Sequence, residues 1–171
     1  MLTNRPVSVV DTDQEALETL IGIHGGLRPI LDVCFSRGSM WNGCSVQPGQ
    51  TSDILFSSGL SCVADFFHLP YREASIGCLI WDPPHISDAG ANSLMNKRYG
   101  TMNLERAIPD FLGEAQVVMK PGGLLLAKIS DMVHGGAYRA YHAMMINELF
   151  LTGFELVDIV IRVKKNSPID P

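Results

Sequence analysis

Residues 74–85 read ASIGCLIWDPPH, and this stretch decides the fold. Ile76, Cys78, Leu79, Ile80 and Trp81 make a nearly continuous apolar run, the pattern of a strand buried on both faces of a parallel sheet. Asp82 then sets a carboxylate at the strand's carboxyl end. Pro83 and Pro84 stop the ladder, because neither has an N–H to donate and both fix φ. His85 follows on a stiffened turn. Open α/β sheets bind ligands just beyond the carboxyl ends of their strands, so an acid and a ring are displayed where chemistry would occur. A solvated Asp in a Pro-rich turn is the bland alternative, and D-P-P alone does not separate the two.

Working outward, strands and helices alternate. Residues 13–24 carry Ala16, Leu17, Leu20, Ile21 and His24 at helical spacing, with Asp11, Thr12 or Asp13 to cap the start and Gly25-Gly26 to end it. Residues 27–34 (LRPILDVC) read as a first core strand with Asp32 near its end, and the small-residue turn FSRGSMWNG follows. CSVQPGQTS has little helical pattern, so the first crossover helix is expected to be short or absent. Residues 52–56 and 60–65 are short second and third strands. Residues 66–75 are a loop or a single turn of helix before the D-P-P strand.

Beyond it, residues 86–103 are polar and aperiodic, a length of loop that is usually functional or mobile. Residues 104–119 read as a helix whose regular part starts near Pro109. K-P-G-G turns into a buried strand, GLLLAKIS. Residues 136–151 read as an amphipathic helix, and residues 154–163 alternate as a last strand. The pattern predicts an α/β fold with a mostly parallel, doubly wound sheet. It divides the chain into an N-terminal helix region (1–26), a core (27–163) and a tail (164–171), all within one domain.

Composition bounds the function. In 171 residues, 46% are hydrophobic and 18% charged, a globular balance. No apolar run reaches the roughly 20 residues that cross a bilayer, and the start lacks a signal-peptide pattern, so a cytoplasmic protein without a membrane partner is expected. Cys34, Cys44, Cys62 and Cys78 form no C-x-x-C pair and read as reduced small hydrophobes, with no metal site expected. The formal net charge of −5 stands against unaided binding to nucleic acid, where neutralising phosphate dominates affinity.

In a doubly wound sheet the first strand-to-helix turn lets a ligand approach the backbone. Here that turn runs Asp32-Val33-Cys34-Phe35-Ser36-Arg37-Gly38, an S-x-G in place of G-x-G, with amides expected to face a polar group. Asp53, about 20 residues past the first strand, stands where an acid accepts ribose hydroxyls. Asp65 ends the next apolar run, within reach of an adenine amine. Each acid is individually as consistent with a solvated strand end; four in succession would line one edge of one sheet.

The order ILDVCFSRGSMW, ADFFHLPY, IWDPPH, MKPGGLLLAK resembles S-adenosylmethionine-dependent amino-methyltransferases of the DNA-methylating D-P-P-Y type, most of all the compact members common in phages and prophages. The likeness runs over residues 28–163, and its most specific element is D-P-P followed by a ring. It implies a Rossmann-like methyltransferase fold. It also implies S-adenosylmethionine at Asp32, Cys34, Phe35, Ser36 and Gly38, with Asp53 on the ribose and Asp65 and Phe66 near the adenine. The target amine would lie at Asp82, Pro83, Pro84 and His85.

The chain departs from the pattern at Ser36, where a glycine is usual, and at His85, where a Tyr or Phe is usual. No target-recognition region is read in it, and after IRVKKNSPIDP, where the family fold would add a last antiparallel strand, the expectation is that the strand is missing or that the sequence is a shortened version. Methyl transfer to an exocyclic amine of a DNA base is implied, adenine N6 before cytosine. A partner subunit or homodimer would then supply target recognition. Lys97, Arg98 and Tyr99 in the long loop, and Lys128 at the end of GLLLAK, are candidates for substrate contact. His85 would stack on a flipped base. Two alternatives share the fold: a methyltransferase acting on RNA or a protein amide, and a catalytically silent binding module.

Overall fold

The computed structural model describes residues 8–25, 27–85, 97, 99–134 and 136–163. Five strands form one sheet in the order β4-β3-β2-β5-β6: β2 (Ile30–Asp32), β3 (Gln50–Asp53), β4 (Cys62–Val63), β5 (Ile76–Trp81) and β6 (Met119–Ala127). Every pairing in it is parallel. Chain order reverses between β2 and β5, the switch point at which ligands enter such sheets. This is the expected Rossmann-like α/β architecture, with helices on both faces.

The β5 run predicted from its apolar residues is buried along its whole length, and alternate residues serve opposite faces. Leu79 and Trp81, with Leu31 and Val33, pack against α2 (Leu104–Val118) and α3 (Tyr141–Leu151). Cys78 and Ile80, with Ile30 and Leu126, pack against Leu17 and Ile21 of α1 (Asp13–His24) and against Trp41 of a short 3-10 turn (Ser39–Trp41). Trp81 and Phe111 stack at 4.1 Å. Gly77 is required because a Cβ there would lie 2.4 Å from the backbone of Leu27.

α1 begins and ends as its sequence says. Thr12 accepts from the amide of Glu15 while the Glu15 carboxylate takes the Thr12 amide, a reciprocal capping box, and Gly25 closes the helix in the left-handed conformation. The β2–β3 crossover carries only the 3-10 turn, as the missing periodicity indicated.

Other expectations are corrected. α2 starts at Leu104, capped by Asn103, and runs through Pro109; a continuous buried stripe from Leu104 to Val118 outweighs the one backbone hydrogen bond that proline forfeits. The helix read over 136–151 begins only at Tyr141. The residues before it form a hairpin of β7 (Met132–His134) and β8 (Ala137–Arg139), whose alternation was masked by the helical spacing behind it. The last strand is only β9 (Val160–Arg162), and it pairs in parallel with β1 (Ser8–Val10), an element too short to show in the sequence pattern. The first three core strands are also shorter than read, ending at Asp32, Asp53 and Val63, whereas β6 takes in the K-P-G-G read as a turn and is half-buried or exposed over most of its length, not buried throughout. Among the described residues β7 and β8 form the antiparallel pair, outside the main sheet, and no helix is long and apolar enough to cross a membrane.

Candidate functional site at the carboxyl edge of the sheet

Reading across the carboxyl ends in spatial order, the sheet presents Asp65 just past β4, Asp53 ending β3, Asp32 ending β2, Asp82 just past β5 and Lys128 just past β6. Four acids and one base thus lie along one edge, as the strand-end pattern predicted.

The central acid is Asp32, at 2% exposure. Its two oxygens accept from the Cys34 amide at 2.9 Å and the Trp41 indole N–H at 2.7 Å. Burial nevertheless pushes its carboxyl up to about 6, and the neighbouring Asp82 and Asp53 charges push the same way. Burial, helped by the charges of Asp32, Asp82 and Asp53, also holds the Cys34 thiol well above its ordinary range. Three carboxylates from three neighbouring strands therefore act on one small region.

Asp53 ties the loop down. Its oxygens accept from the Ser36 amide at 2.8 Å and the Leu55 amide at 3.0 Å. Ser36 sits in the left-handed region at φ 51°, the conformation that explains why a glycine suits this position. Its carbonyl accepts from the Ser57 hydroxyl and its own hydroxyl from Tyr99, at 3.3 Å. Gly38 is also left-handed at φ 70°, and a Cβ there would lie 2.5 Å from the Phe35 ring.

The loop amides face polar groups, as expected, and these belong to the protein itself: Cys34, Phe35, Ser36 and Gly38 donate to Asp32, the Ser52 carbonyl, Asp53 and the Phe35 carbonyl. The loop is held by its own acids because short strands leave those acids buried beside it. Asp65 accepts from the Phe67 amide at 3.0 Å. Phe66 is corrected too. Its ring is buried edge-on against Trp81 and Phe111 at 5.8 and 5.9 Å, so it serves the core and not an adenine face.

On the other side of the switch point, Asp82 is half-buried and accepts from the Lys128 ammonium at 3.0 Å. Lys128 also reaches Asp13 at 3.3 Å, and Asp13 takes Arg162 at 3.1 Å. Pro83 is fully buried and Pro84 half-buried. His85 is half-buried; desolvation holds its imidazole below the usual range, against the nearby Asp82 charge, and its Nε2 is buried with no hydrogen-bond partner among the described residues.

Tyr99 joins the long loop to Ser36, while Lys97 is exposed in helical backbone, and Arg98 with residues 86–96 lies outside the described residues. Sequence reasoning missed Trp41, Ser57, Asp13 and Arg162. Asp13 carried a signal, an acid in the first turn of a helix, but nothing in the sequence pairs it with Lys128.

No family model and no curated protein matches the chain. Among solved structures it is similar to the [4+2]-cyclase SpnF, with 20% identity and a TM-score of 0.46 over 84% of this chain. The chain spans 59% of the length of that cyclase.

Proposed function

We propose that this edge binds S-adenosylmethionine and transfers its methyl group to an exocyclic amine of a DNA base, adenine N6 before cytosine. The observation that carries the reading is the convergence of Asp32, Asp53 and Asp82 at the switch point, where burial raises the Asp32 carboxyl to about 6 and the two neighbouring acids push the same way. A concentration of negative potential at a sheet's switch point suits a cationic ligand that also carries hydroxyls and an amine, which is the chemistry of an adenosyl sulfonium. The residues fit: Asp53 and the left-handed Ser36 would hold the ribose side, with Asp65 toward the adenine.

The bound cofactor supplies a methyl group activated by positive sulfur. The protein's part is to present a nucleophile. An exocyclic amine is a weak one, because its lone pair is delocalised into the ring. Asp82 and the Pro83 carbonyl, accepting its two N–H bonds, favour a pyramidal nitrogen with the lone pair directed at the methyl carbon. As the methyl group passed from sulfur to nitrogen, the Asp82 carboxylate would stabilise the positive charge arriving on that nitrogen until the proton left. His85, held neutral by burial, adds no opposing charge there and offers a ring face to an extruded base.

The test is incubation of the full chain with methyl-tritiated S-adenosylmethionine and a panel of DNA, RNA and protein acceptors, followed by nucleoside analysis. Label in N6-methyldeoxyadenosine is expected. Label in RNA or protein alone would move the acceptor, and cofactor binding without transfer to any acceptor would favour a silent module.

A further inference from the structure

We infer that Lys128 is a positioning residue for Asp82 whose ammonium holds the place of the acceptor's N–H donors and moves onto Asp13 when an amino substrate arrives. The inference rests on the proposed amine acceptor at Asp82. Its basis is a chain of four charges that join elements far apart in sequence: Asp82 after β5, Lys128 after β6, Asp13 at the first residue of α1, and Arg162 in β9. Lys128 stands between two carboxylates at nearly equal distances, 3.0 Å to Asp82 and 3.3 Å to Asp13.

An ammonium on Asp82 Oδ2 supplies the same kind of N–H donor that the acceptor amine must supply. The two compete for one oxygen. Release of Lys128 without a second partner would leave a half-buried cation uncompensated, which is costly. Asp13 removes that cost. It lies in the first turn of α1, where the helix dipole favours a carboxylate, and Arg162 fixes it at 3.1 Å. Lys128 can therefore leave Asp82 by a short swing and remain paired throughout. The arrangement favours acceptors that bring N–H donors, because a ligand lacking them cannot replace the ammonium on Asp82.

Steady-state methyl transfer to a single-stranded oligonucleotide containing deoxyadenosine separates this role from a structural one, with KM and kcat determined for wild type, Asp13→Asn, Lys128→Met and the double variant. Without the Asp13 charge Lys128 stays on Asp82, so D13N should raise the acceptor KM about tenfold, the scale of losing a hydrogen bond to a charged group, and act on KM more than on kcat. In the K128M background the same change should alter KM by less than about twofold, since the competitor is gone. Equal effects of D13N in both backgrounds would overturn the inference.

A second readout needs no turnover. The Lys128 ε-methylene resonance, identified by its loss in K128M, should shift on titration with deoxyadenosine and need about tenfold more of it in D13N. A shift without methyl transfer keeps the relay and removes the methyltransferase reading. Transfer without a shift removes the relay, and absence of both removes both.

Discussion

Asp32 ends β2 and Asp82 follows the end of the neighbouring β5, and the two differ in what holds them. Asp82 is half-buried and faces the Lys128 ammonium, whereas Asp32 is sealed and held by an amide and an indole. That contrast is the ground on which acceptor binding is proposed for the first and structural, electrostatic work for the second. Because the folded carboxyl of Asp32 lies near 6 and its ordinary value is 3.8, the folded state holds a proton in that window that the unfolded chain has released. Stability contributed by Asp32 therefore falls as pH rises from about 4 to 6, and the burial penalty is complete above it. The stability gap between wild type and Asp32→Asn should change by about 2 kcal/mol between pH 4 and pH 7, with wild type relatively weaker at the higher pH. The opposite pull of His85 is common to both proteins and cancels. Urea denaturation at both pH values checks this, and a constant gap would mean that Asp32 stays ionised throughout.

At the scale of elements, the loop from Cys34 to Ser39 is built on two left-handed residues. Gly38→Ala should cost about 1–3 kcal/mol, from a Cβ in the left-handed region and from displacing the Phe35 ring. Urea midpoints check it; an unchanged midpoint would show that the loop relaxes freely. The loop also marks the limit of what the sequence reveals. Its position and the acids around it were legible, because short apolar runs each ending in Asp announce a strand edge. Its hydrogen bonding was not, because the partner of the Ser36 amide lies 17 residues away and depends on strand register. Phe66 was misplaced for a similar reason: next to Asp65 in sequence, it points into the core against Trp81. α2 was placed but not its start, since the cost of Pro109 is local while the packing that offsets it is not. The Lys128–Asp13 contact joins residues that no periodicity relates.

For the whole molecule, charge sets the terms of any encounter with nucleic acid. A chain with net charge −5 that concentrates acids at its own site should contact few phosphates unaided. Its log-affinity for duplex DNA should fall with log salt at a slope shallower than about −3, and fluorescence anisotropy at several salt concentrations measures it. A steep slope would overturn the expectation of few phosphate contacts. The proposed chemistry requires Asp82 to handle the acceptor and not the cofactor. Single-turnover methyl transfer by Asp82→Ala, beside a calorimetric isotherm for S-adenosylmethionine, tests that most directly. Loss of one preorganised acceptor predicts a fall in rate of about a hundredfold to a thousandfold, with cofactor affinity kept within about threefold. Transfer at the wild-type rate by Asp82→Ala would contradict the account.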